Sequence, residues 1–124
     1  MKPRIFLIAI LFSSNFLFAQ TNLSGFYPSS TISGLRFGSA TAINENTIVV
    51  SSATNQFPPV TTGYVYVFNQ TNQTITQEAY FYPSDALSND QFGKSVAVFG
   101  DFIAVGSPLH DEGFSDCGSV YLYK

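Results

Sequence analysis

The apolar residues of this chain fall in short runs rich in Val, Ile, Tyr and Phe, and each run is fenced by Gly, Asn, Asp, Ser or Pro. No window offers helical spacing over ten residues, so the runs read as strands. The pattern predicts four in a first unit, Gly38 to Ile43, Thr47 to Ser52, Gly63 to Phe68 and Ile75 to Tyr82. A second unit supplies Gly93 to Phe99, Phe102 to Ser107 and Ser119 to Tyr123. The first two strands of each unit are joined by Asn44-Glu45-Asn46 or Gly100-Asp101, residues that accept the positive φ of a tight hairpin. Asn69 to Thr74 carries no apolar side chain and is expected to form a solvated hairpin loop.

The two units are copies. Phe26-Tyr27-Pro28-Ser29 returns as Phe81-Tyr82-Pro83-Ser84, Phe37-Gly38 as Phe92-Gly93, and Gly63-Tyr64-Val65-Tyr66 as Gly118-Ser119-Val120-Tyr121, each 55 positions on. Residues 26–69 lie over residues 81–124 without a gap, with 14 identities in 44 positions. A repeat of this length marks a structural unit that is stacked on its neighbours. Thr47 to Val50 and Tyr64 to Phe68 are apolar on consecutive positions, which under the two-residue period of a strand places apolar side chains on both sheet faces. Both faces then need a cover. An antiparallel meander packed between others like itself is a propeller blade, and about four to eight such blades close a ring.

Charge and composition narrow the class. The first nineteen positions run from Lys2 and Arg4 through Ile5 to Leu11 to Phe18-Ala19, the order of a secretory signal peptide. Ile5 to Ala19 is 15 residues, short of the roughly 20 apolar residues of a membrane span. Without this leader, Arg36, Lys94 and Lys124 stand against eight carboxylates, a net charge of −5. So few cations disfavour nucleic acid as a partner, and no membrane span is expected in the mature chain. The single cysteine, Cys117, aligns with Thr62 and has no internal disulfide partner.

The motifs resemble the FG-GAP repeat of integrin α-subunit propellers and of many secreted bacterial proteins. Phe92-Gly93 stands for its FG element, Ile103 to Pro108 for the apolar stretch that ends in Gly-Ala-Pro, and Gly118 to Tyr123 for its closing strand. The first unit keeps Phe37-Gly38 and Gly63 to Phe68 but has Ser51-Ser52-Ala53 in the middle. The resemblance covers residues 26–124 and implies an all-β fold, a partial β-propeller of two antiparallel blades of the four-stranded type, the second lacking its outer strand. Calcium-binding members carry an Asp-rich loop between the first two strands, where this chain has only Glu45-Asn46 and Gly100-Asp101. A cation that takes six to eight oxygens needs a longer loop, so no metal and no cofactor is expected.

In a meander the loops after the second and fourth strands emerge at one end, and in the resembled family that end meets ligands. Here it gathers Asp85, Asp90, Asp111, Glu112 and Asp116 with His110, and Phe57 from the first unit. The acidic residues suit a cation or a basic partner surface, but solubility and turn geometry are the simpler account of them, and Phe57 is either a contact point or part of a loop packed on its neighbour. His110-Asp111 is not expected to be a catalytic pair, since no nucleophile motif accompanies it.

The expected organisation is a signal peptide over 1–19, a leading strand and linker over 20–36, a first blade over 37–82, and a linker with a second, incomplete blade over 83–124. Two units are too few for a closed ring, so the chain is expected to be the N-terminal part of a longer propeller, with the remaining blades in cis or in trans. The expected function is a secreted or cell-surface, non-catalytic binding or adhesion module, its ligand an unknown protein or glycan. The alternatives are an accessory propeller of a secreted enzyme whose catalytic domain lies outside these residues, or a non-functional truncated product.

Overall fold

The computed structural model of the chain describes residues 25–29, 34–53, 62–87 and 89–124. Residues 1–19, expected as the leader, and Phe57 lie outside them. The described residues form seven antiparallel strands and no helix: β1 (Phe37–Asn44), β2 (Thr47–Ser52), β3 (Tyr64–Thr71), β4 (Thr74–Phe81), β5 (Ser95–Phe99), β6 (Phe102–Ser107) and β7 (Ser119–Tyr123). They pair strictly in chain order, as one four-stranded sheet β1-β2-β3-β4 and one three-stranded sheet β5-β6-β7. These are two blades, the second without an outer strand among the described residues.

The tight turns have a local cause. Glu45 and Gly100 open the β1–β2 and β5–β6 turns at φ 52° and 53°, the left-handed conformation that a two-residue hairpin demands. The polar tract at residues 69–74 departs from the expected loop. β3 and β4 continue through it with Asn69 opposite Thr76, Gln70 opposite Ile75 and Thr71 opposite Thr74, leaving only Asn72-Gln73 as the turn. A ladder is held by backbone groups, so polar side chains extend it wherever a residue such as Asn72, at φ 57°, reverses the chain.

The period-two pattern sends successive residues of the first blade to two different cores. Val49 and Val65 point to one face, Val50, Tyr66 and Phe68 to the other. The first face is the seam between blades: Val49 and Val65 join Phe92 and Val105 in a fully buried cluster, flanked by Phe81, Val96, Val98, Ile103, Tyr121 and Tyr123. The opposite face carries Val50, Tyr66 and Phe68, packed by Phe26, Phe37, Ile48, Tyr64 and Ile75.

The repeat is preserved in detail. Phe92 meets Tyr121 edge-on at 5.4 Å and 79°, and Phe37 meets Tyr66 at 5.5 Å and 74°. Phe81 lies 4.1 Å from Tyr123, as Phe26 lies 4.8 Å from Phe68. The Phe-to-Tyr edge contact thus recurs 55 residues on with nearly the same geometry, whereas Phe81 and Tyr123 are tilted at 39° where Phe26 and Phe68 stand at 65°.

Small residues make the seam close. A Cβ on Gly63 would run into the carbonyl oxygen of Phe92, and one on Gly93 would come within 2.9 Å of the Ser51 Cβ. The Ser51 hydroxyl donates to the Gly93 carbonyl at 2.5 Å and accepts from the Ala40 N–H at 3.0 Å, tying both blades together. Gly63→Ala is therefore expected to destabilise the protein far beyond the small effect of an ordinary exposed substitution, since backbone must move. Phe92→Ala should cost about 3–5 kcal/mol through the cavity it leaves in the seam. Urea unfolding of both variants, with exposed Glu78→Ala as the near-neutral control, measures this.

Candidate functional site

The strand directions place the β2–β3, β4–β5 and β6–β7 connections at one end and the two-residue turns at the other. Two of these long connections, over residues 82–94 and 108–118, come together at the second blade. The β6–β7 loop closes on itself: the His110 N–H donates to the Ser107 carbonyl at 3.3 Å and the Gly118 N–H to the His110 carbonyl at 3.0 Å. Gly118 sits at φ +75°, with the space for a Cβ limited by the Pro108 carbonyl. Cys117 is exposed, and its Sγ accepts from the Glu112 N–H at 3.3 Å, so it braces the loop.

His110 and Asp90 form the centre of the cluster, each only 3 % exposed. Asp90 Oδ2 accepts from the Leu87 N–H at 2.8 Å and lies 2.9 Å from His110 Nδ1. Its backbone carbonyl accepts from the Ser107 hydroxyl at 2.9 Å and from the Leu109 N–H at 3.3 Å. The two loops are thus clasped by one residue pair. On the other side of the ring, His110 Nε2 lies 3.3 Å from Glu112 Oε2 and from the Tyr121 hydroxyl, and 4.0 Å from Asp85 Oδ2. The Tyr121 hydroxyl donates to Asp85 Oδ1 at 3.2 Å.

The electrostatics follow from this placement. The hydrogen bond to Asp90 raises the His110 pKa above its ordinary 6.5, against the opposing effect of burial, and Glu112 and Asp85 add to the rise. The Tyr121 phenol is pushed up to about 12, first by burial and then by Asp85. With His110 charged, Nδ1–H donates to Asp90 and Nε2–H to Glu112, while Tyr121 keeps its bond to Asp85. Loss of the proton leaves Nε2 and the Asp85 carboxylate competing for the single Tyr121 hydroxyl hydrogen.

Of the residues singled out from the sequence, the structure brings Asp85, Asp90, His110 and Glu112 together. Asp111 and Asp116 pair within the loop instead, with Asp111 Oδ1 accepting from the Asp116 N–H at 2.6 Å, and both are exposed. Phe57 lies outside the described residues. The adjacent pair His110-Asp111 is not the one that orients the imidazole; Asp90, twenty residues earlier, does so. Tyr121 was not anticipated as part of the cluster. Its repeat partner Tyr66 and the alternation of β7 were the available clues, since they put it on the Phe92 side of the sheet.

Beside the cluster, Tyr82, Pro83, Ser84, Asp85, Tyr121 and Tyr123 line an open cleft of about 380 Å³. It offers aromatic faces, a hydroxyl and a carboxylate to a ligand approaching from the loop end, a mixture suited to sugar rings or to a basic, partly apolar peptide.

Residues 75–123 match the family model for the FG-GAP repeat. The match begins one residue into β4 and ends with β7, so the sequence unit straddles the seam, taking the outer strand of one blade with three strands of the next. No curated protein and no solved structure gave a match.

The clasp makes a pH prediction. Because the folded pKa of His110 lies above its unfolded value, its contribution to stability is complete below about pH 6.5 and is lost as pH rises through the folded pKa. Stability measured by denaturant from pH 5 to 9 should therefore decline across that window, and His110→Gln should remove this part of the pH dependence. Parallel curves for the two proteins would contradict it.

Proposed function

Because residues 75–123 carry an FG-GAP repeat, we propose that this chain is a non-catalytic propeller module, secreted or displayed at the cell surface, that binds a protein or glycan through the loop end of its blades. FG-GAP repeats occur in extracellular and cell-surface proteins, and no helix among the described residues is long and apolar enough to cross a membrane. The observation that supports binding at this end is the cleft of Tyr82, Asp85 and Tyr121, held in shape by the buried Asp90–His110 clasp behind it. The clasp uses Asp90 and His110 internally, while Asp85 and Glu112 keep exposed carboxylates toward the ligand side. Asp111 and Asp116 extend that acidic rim, and Phe57, from the first unit's equivalent loop, is proposed to add an aromatic contact. The remaining blades of the ring are supplied in cis or in trans.

Binding to an immobilised glycan panel and to a lysine-rich peptide tests the reading. Tyr82→Ala and Asp85→Asn are expected to weaken a positive interaction by tenfold or more, on the order of 1.4 kcal/mol each, whereas Asp101→Asn, at the opposite end, should leave it unchanged. Equal affinity in all three variants would place the ligand elsewhere.

A further inference from the structure

The two blades expose the same positions very differently. Val65 and Val67 of β3 are 0 % and 9 % exposed, because the second blade covers them; their repeat counterparts on β7, Val120 and Leu122, are 74 % and 67 % exposed. Phe99 joins them at the edge of this open face. The face also carries an unfilled socket of about 550 Å³, lined by Gly106, Ser107, Gly118, Ser119 and Val120 among others. Subtracting the 55-residue offset turns those five into Ser51, Ser52, Gly63, Tyr64 and Val65. Of these, Ser51 and Gly63 are the residues against which Phe92-Gly93 is seated, and Val65 packs in the same buried cluster. The socket is thus the second blade's version of a site that, on the first blade, is filled by a Phe-Gly pair.

The chain also carries the matching plug. On the far side of the first blade, Phe37-Gly38 has the geometry of Phe92-Gly93, with Gly38 at φ 91° and Gly93 at φ 84°. Beside it an apolar groove of about 440 Å³ is lined by Phe37, Gly38, Thr41, Ile43, Ile48 and Val50. Ile43 there is 63 % exposed, whereas its counterpart Val98 packs into the seam. The segment Gly25–Ser29 lies over this face, with Phe26 on Phe68 and the Ser29 N–H donating to Gln77 Oε1 at 2.9 Å. Phe26 stands to Phe68 as Phe81 of β4 stands to Tyr123, so the segment occupies the place of an outer strand belonging to a preceding blade. An outer strand is what the second blade lacks among the described residues.

We propose that a second copy of this chain seats its Phe37-Gly38 face on the open face of β5, β6 and β7, and that its residues 25–29 complete the second blade alongside β7. The contact repeats, between chains, the seam already made once within the chain. It is heterologous: the plug face of one copy meets the socket face of another, so association continues until the ring closes. The strand contribution is an edge addition, in which backbone pairing supplies affinity and the flanking apolar side chains supply register.

This deepens the blade reading above and is independent of the loop ligand. Its test uses two variants of the purified chain, Val120→Lys on the socket face and Ile43→Lys on the plug face, with far-UV circular dichroism as the check on folding. Sedimentation velocity should show an oligomer for the wild type and a monomer for each variant, with self-association weakened on the order of a hundredfold or more by a lysine placed in an apolar seam. Mixing the two variants should restore a 1:1 dimer, because each retains the face that the other has lost. A wild-type chain that stays monomeric, a mixture that stays monomeric, or a variant that still assembles alone would overturn the proposal. Glycan and peptide binding by the monomeric variants is read separately, so a failed assembly with intact loop binding would sink this inference alone.

Discussion

The seam between the blades is the constraint on which the rest of the structure depends. A strand that is apolar on consecutive residues cannot bury both of its faces within its own sheet, and here the remedy is a second sheet laid on the first through Phe92, Val49, Val65 and Val105. Close approach requires backbone where side chains would otherwise stand. Gly63 gives way to the Phe92 carbonyl, Gly93 turns at positive φ against Ser51, and the Ser51 hydroxyl bridges the two sheets. The hairpins carry much less of this burden. Each is fixed by a single residue in left-handed conformation, whatever the side chains beyond it.

Most of this was legible because the chain states it twice. The fixed offset aligned the strands, and consecutive apolar positions in Thr47 to Val50 and Tyr64 to Phe68 required two covered faces before any contact was known. The turns at Glu45-Asn46 and Gly100-Asp101 followed from residue type. The tract from Asn69 to Thr74 did not, because hydrophobic patterning reports which side chains are buried and is silent about a ladder whose bonds all run through the backbone. The Asp90–His110 clasp was hidden for a different reason. Its members are twenty residues apart on separate loops, and their counterparts in the first unit are Leu35 and Asn55, so neither spacing nor repetition marks them as a pair.

The distribution of identities between the two units separates what holds the fold from what differs on its surface. Phe37/Phe92, Gly38/Gly93, Ser52/Ser107, Gly63/Gly118, Val65/Val120 and Tyr66/Tyr121 are the same residue in both units, and of these Phe92, Gly93, Gly63, Val65 and Tyr121 form or flank the seam. Val65 and Val120 share an identity although one is buried by a neighbouring blade and the other is open. A β-branched residue suits a strand whether or not its face is covered, so the shared valine follows from strand preference as well as from packing.

The charged loop positions behave in the opposite way, although Tyr82, Pro83 and Ser84 beside them repeat Tyr27, Pro28 and Ser29. Asp85, Asp90, His110 and Glu112 stand opposite Ser30, Leu35, Asn55 and Phe57, four differences in four positions. A group required for stacking would appear in both units, since both blades must stack. The charged cluster appears once, and it is built so that the buried pair consumes its own hydrogen-bonding capacity while Asp85 and Glu112 remain at the surface. Burial of the Asp90–His110 pair is costly in itself, and it is offset only by a complete set of partners, the Leu87 N–H, Glu112 and Tyr121 among them. Such a set fixes the β4–β5 and β6–β7 loops in one relative position. The rigid seam therefore carries, at one end of the second blade, a loop pair whose shape is set by its own chemistry and is independent of the repeat that supports it.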